Sequence, residues 1–139
     1  MEYALTVSDR VNPDDEGRSL ATVVRVYQLR GVQHLENSDF EDIWRRDQES
    51  LGEDVVKVDE MTVFPSDRVA KPIEVAEGVS FIVVVALVRK PAGTSWRAVY
   101  ELPLERCPEG RAPHRLVARF VLEGYRIGRL EDRSPEEQQ

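Results

Sequence analysis

Apolar side chains along this chain alternate with polar ones or gather in short blocks, which is the period of β-strands rather than of helices. The segment TVVRVYQL at 22–29 is rich in β-branched and aromatic residues, which suit a pleated, half-buried surface. The block FIVVVALV at 81–88 is apolar on both alternations, the pattern of a central strand covered on both faces. Shorter strands are predicted at 3–7, 56–64, 69–75, 96–102, 115–122 and 125–130. Turn residues separate most of them, at Asn12-Pro13, Pro65-Ser66, Glu77-Gly78, Pro91 to Gly93 and Pro108 to Gly110. Asp59 and Glu60 interrupt their strand and are read as a bulge. About eight short strands at this spacing predict a mainly β fold, a sandwich or a barrel.

One segment has the other period. Ser38 and Glu41 match a capping box, in which the serine hydroxyl and a carboxylate three residues on satisfy orphan N–H groups. Phe40, Ile43, Trp44 and Leu51 then fall near one helical face, and Gly52 supplies a stop. A helix is therefore predicted over 39–51, inserted between strands and packed on the sandwich, with Trp44 in its buried stripe. No repeat or second composition regime appears. The reading is a single domain over 1–130 and a flexible acidic tail over 131–139, where no apolar residue occurs.

Composition narrows the function classes. In 139 residues, 26 acidic side chains oppose 19 basic ones for a net charge of -7, which disfavours a phosphate-binding, nucleic-acid role. The single cysteine, Cys107, excludes an internal disulfide, and two histidines, His34 and His114, are too few for a His-rich zinc site. The longest apolar run has eight residues against the roughly 20 that a spanning helix needs. The start, MEYALTVSDR, has none of the marks of a signal peptide.

Catalytic motifs are equally scarce. There is no G-x-G-x-x-G, P-loop, G-x-S-x-G or H-E-x-x-H pattern. Both histidines fall in predicted loops with nothing to orient them as bases, and Cys107 sits in a Pro/Gly-rich loop as an incidental thiol. Asn12, Asp14, Glu16 and Gly17 occupy the first, third, fifth and sixth positions of a calcium-loop pattern, but its twelfth position is Val23 rather than a bidentate glutamate. A solvated turn is the simpler reading, and no metal or cofactor is expected. Trp96 opens a strand after a turn, where an aromatic can cap the sandwich or meet a ligand.

Taken in order, VNPDDEGRSLATVVRVYQLRG, FEDIWRRDQESLGEDVV and MTVFPSD resemble the TssJ/VasD family of type VI secretion lipoproteins over roughly residues 5–102. The most specific pieces are Asn12-Pro13-Asp14 with Gly17-Arg18, the strand end at Val26 to Leu29, the Asp39-Phe40 helix entry, Leu51-Gly52, Phe64-Pro65, and Ala86 followed by Trp96-Arg97. The resemblance implies a transthyretin-like two-sheet sandwich with an added helix. It also implies a non-enzymatic protein of the periplasm, held to the outer membrane by a lipidated N-terminal cysteine and binding the periplasmic domain of the inner-membrane protein TssM. In the family the loop between the first two strands contributes to that contact; the matching residues are Asn12, Pro13, Asp14, Asp15, Glu16, Gly17, Arg18 and Ser19. No cysteine precedes Cys107, so Met1 is read as standing in place of the leader and anchor segment.

The leading expectation is thus a structural anchor of a secretion membrane complex. The alternative is a β-sandwich that binds a small ligand or carbohydrate, using an exposed face that includes Trp96. An enzyme built on paired carboxylates ranks last, because no spacing singles out a pair.

Overall fold

In the computed structural model, which describes residues 1–103 and 116–130, eight strands form two four-stranded sheets. The elements run β1 (Glu2–Val11), β2 (Thr22–Leu29), α1 (Gln33–Glu36), α2 (Phe40–Leu51), β3 (Val55–Val63), β4 (Arg68–Pro72), β5 (Phe81–Leu87), β6 (Arg97–Glu101), β7 (Val117–Gly124) and β8 (Arg126–Leu130). One sheet has the order β4-β1-β7-β8 and the other β3-β2-β5-β6. All pairings are antiparallel except β1 with β7, whose register shifts between Val7 and Val11. The β-sandwich read from the sequence is the fold observed.

The apolar block at 81–88 explains why there are two cores. Successive β-strand side chains point to opposite faces. Ile82, Val84 and Ala86 of β5 join Val24 and Val26 of β2 and Leu5, Phe120 and Leu122 of the facing sheet in the core between the sheets. Val83 and Val85, with Tyr27 and Leu29, line the outer face, where Leu35 of α1 and Ile43 and Leu51 of α2 cover them. Ile43 and Leu51 are fully buried, and each contributes about 1.5–3 kcal/mol by that burial.

Several expectations are corrected in detail. The helix is capped by Asp39, not Ser38: Asp39 Oδ1 accepts the Asp42 N–H at 2.8 Å, and Asp42 Oδ2 accepts the Asp39 N–H at 3.1 Å. Ser38 instead donates to the carbonyl of His34 at 2.7 Å. Asp59 and Glu60 make no bulge, since they stay in register opposite Val26 and Arg25; the irregularity lies at Gln28/Leu29. An edge strand tolerates charge on its open face, and Glu60 accepts from Arg25 Nε across the pair at 2.9 Å. His34 lies in α1 rather than in a loop, with Nδ1 2.7 Å from Asp54 Oδ2. Cys107, His114, the 106–114 loop and the predicted tail lie outside the described residues.

The two tryptophans exchange their expected roles. Trp96 is 1% exposed, its indole N–H donating to the Gly93 carbonyl at 2.9 Å, and Phe40 packs on it edge-on with centroids 5.5 Å apart. Trp44 is 46% exposed. Ile43, rather than its neighbour, takes the inward position, and α2 kinks two residues beyond Trp44, where Arg46 has φ -141° and ψ 47°. Arg25 fills the break, its Nη1 donating to the carbonyls of Ile43 at 3.0 Å and Trp44 at 3.3 Å.

Candidate functional site

Four connections gather at one end of the sandwich. Val11 pairs with Gly124, Thr22 with Val63 and Val23 with Leu87, so the β1–β2 loop lies beside the β3–β4, β5–β6 and β7–β8 connections. Met1 and Glu2 lie at the other end, next to Ile73 and Pro72. The ten residues of β1 separate the two ends by roughly 30 Å.

Asn12 and Pro13 root the β1–β2 loop. Asn12 is 4% exposed, with φ +45°, a left-handed conformation that asparagine tolerates better than most residues. Its Oδ1 accepts the backbone N–H of Arg89 at 2.9 Å, and its own N–H donates to the Gly124 carbonyl at 2.8 Å. The Pro13 carbonyl accepts from Arg89 Nη1 at 2.8 Å and from the Tyr125 hydroxyl. Pro13 and Ser19 form an isolated bridge that closes the loop, and the Ser19 hydroxyl donates to the Asp9 carbonyl at 2.6 Å.

Asp14 organises the tip. Its Oδ1 accepts the backbone N–H groups of Glu16 and Arg18, each at 2.9 Å, the local carboxylate-to-backbone pairing that stabilises tight turns. Gly17, at φ +82°, makes the reversal without a side-chain clash. Arg18 then folds back on Glu16 and lies 3.4 Å from Asp14 Oδ2. Asp15, Glu16, Gly17 and Arg18 face solvent. The carboxylates of the calcium-like spacing are therefore turned to cations and amides of their own loop, and among the described residues no group of three or more His, Cys, Asp or Glu side chains gathers as a metal site.

The structure brings all eight predicted residues together and adds others. Asp15 Oδ1 lies 3.3 Å from Arg89 Nη2 and 3.5 Å from Lys90 Nζ, both from the β5–β6 connection. A hydrogen bond and the charge of Arg89, with Lys90 in support, hold the Asp15 carboxyl below the usual carboxylate range. Beyond Arg89 lies an open groove of about 380 Å³ formed with Val23, Phe40, Trp44, Leu87 and Val88. The basic pair after an apolar strand was a visible signal, but its proximity to the loop required the β2–β5 register. Nothing in the local sequence marked the groove, because Val23, Phe40, Trp44 and Leu87 come from three separate elements that meet only in the folded chain.

Comparison with known proteins places this geometry. The family model described as T6SS-SciN, "Type VI secretion lipoprotein, VasD, EvfM, TssJ, VC_A0113", matches residues 1–120. No curated protein matches the chain in a sequence comparison. Among solved structures, the type VI secretion lipoprotein TssJ1 from Pseudomonas aeruginosa is similar at 21% identity and a TM-score of 0.71, covering 96% of each chain. Serratia marcescens Lip, described as a membrane-bound component of the type VI secretion system, is similar at 20% identity and a TM-score of 0.76, covering 94% of this chain and 97% of that one. A chain of a structure described as a type VI membrane complex is similar at 20% identity and a TM-score of 0.80, with the same coverage. A chain from the structure described as "T6SS protein TssM C-terminal domain (869-1107) from EAEC" is similar at 20% identity and a TM-score of 0.76, covering 94% of this chain and 99% of that one. These four likenesses share the fold; the family match over residues 1–120 goes further, and this chain belongs to the type VI secretion lipoprotein family of TssJ and VasD.

Proposed function

We propose that this domain is a non-catalytic anchor of a type VI secretion membrane complex. It binds the periplasmic domain of a TssM-type inner-membrane protein through the Asn12–Ser19 loop and ties it to the outer membrane through an N-terminal lipid. The observation that carries the reading is the construction of the loop. Asn12 and Pro13 tie its base by hydrogen bonds to the β5–β6 and β7–β8 connections, Asp14 bonds its tip backbone, and Asp15 to Arg18 present charge to solvent. A rigid loop loses little entropy when it docks, and its charges set register and on-rate.

Three further points support the proposal. The chain belongs to a lipoprotein family. Similar folds occur in structures described by TssM's C-terminal domain and by a type VI membrane complex. The loop also lies at the end of the sandwich remote from Met1. A lipid attached ahead of Tyr3 would hold that end at the bilayer and leave the loop pointing away from it.

Pull-down with the periplasmic domain of the cognate TssM-type protein tests the proposal. The wild-type domain is expected to retain the partner, and failure to retain it would refute the assignment. The carbohydrate alternative loses the residue it was built on, because Trp96 is buried against Phe40.

A further inference from the structure

Charged loop tips guide encounter, whereas affinity usually rests on a few aromatic anchors close by. Trp44 has the features of such an anchor. It is a large, half-exposed aromatic on the face of α2, and it is held in place on several sides. Phe40 lies 6.2 Å from its ring, and the Arg45 guanidinium sits 4.7 Å from the ring centroid. Its carbonyl is held by Arg25. A side chain fixed in this way has little rotamer freedom to lose on binding.

Trp44 forms the groove with Val23, Phe40, Leu87 and Val88, and Arg89 closes one side. The same Arg89 carries the Asn12–Ser19 loop through Pro13 and Asp15, so groove and loop form one continuous surface. Arg89, which pairs with Asp15 alongside Lys90, sets a cation at the rim of the apolar cleft. We infer that this groove, resting on the proposed TssM reading, is the apolar half of the same interface, and that it receives a partner segment in which an apolar side chain stands next to a carboxylate.

The test uses the whole domain with 5-fluorotryptophan at both tryptophans and the unlabelled periplasmic domain of the cognate TssM-type protein. Trp44 and Trp96 give two ¹⁹F resonances. On titration the Trp44 resonance is expected to shift while that of buried Trp96 stays in place. Trp44→Ala is expected to weaken binding at least about 10-fold and Trp44→Phe by less, both with near wild-type unfolding midpoints because the ring is exposed. If a loop variant weakens binding while Trp44→Ala binds like wild type and the resonance stays still, the groove assignment is wrong and the loop reading stands. If the wild type does not bind, both fall. A Trp44 resonance that moves with the protein's own concentration, without partner, would assign the groove to self-association and overturn the inference.

Discussion

Asn12 Oδ1 accepts the backbone N–H of Arg89 at 2.9 Å across 77 residues of sequence, and through that bond the β1–β2 and β5–β6 connections form one surface. The bond is part-buried, with Asn12 itself 4% exposed, so removing the acceptor leaves the Arg89 N–H without its protein partner. Asn12→Ala is expected to cost about 1–3 kcal/mol for the unsatisfied N–H, with an added cost for placing alanine at φ +45°. Asn12→Gly relieves the second cost alone. Urea denaturation of the two variants separates the contributions, and alanine should be the worse.

Arg25 is expected to behave as a fastener for the kinked helix. It joins Glu60, Asp47 and two helix carbonyls, with only 16% of its side chain exposed. Arg25→Ala should destabilise by roughly 1.5–3 kcal/mol, the range for hydrogen bonds to charged groups. Arg25→Lys should rescue little, because an ammonium cannot reach the Glu60 carboxylate and the helix carbonyls with separate donors of one planar fork. Equal stability of wild type and the lysine variant would contradict this role.

Two buried tyrosines are expected to lower stability at high pH. Burial, with Asp59 nearby, pushes the Tyr3 hydroxyl up to about 12. Burial also raises Tyr27, together with the hydrogen bond it donates to Asp47 at 2.8 Å. In the unfolded chain both ionise near about pH 10. The folded pKa values lie above the unfolded ones, so this stabilisation is complete below that pH and is lost as pH rises toward the folded values. Urea midpoints should fall between about pH 10 and 12, and more gently in Tyr3→Phe and Tyr27→Phe. An unchanged slope in both variants would exclude the tyrosines as the cause.

Asp39→Ala should cost about 0.5–2 kcal/mol as loss of an N-cap. Ser38→Ala should cost less, since Ser38 bonds one carbonyl of α1 rather than the first turn of α2.

That comparison shows where sequence reasoning reached its limit. Ser38 with Glu41 and Asp39 with Asp42 are both acceptable capping pairs, and only the helix's seat on the sheet selects one. The sheets were legible because each strand's alternation is local: the doubly apolar 81–88 block required cover on both faces, and it has it. The tryptophans were not legible. Trp44 lies two residues before a backbone break at Arg46, and its carbonyl is held by Arg25, a residue 19 positions upstream. Trp96 depends on Phe40 arriving from another element. The Asn12–Ser19 loop could be named from its residues and the family resemblance, whereas Arg89, Lys90 and the groove joined it only through long-range register.

The central claim is that the loop binds the partner, and one titration tests it most directly. The periplasmic domain of the cognate TssM-type protein is immobilised, and binding of wild type is compared by interferometry with a variant lacking Asp14 to Arg18. The account predicts saturable binding by wild type and at least about a 10-fold loss in the variant, the scale of a lost hot spot. Equal affinity of the two, with the variant folded, would contradict it.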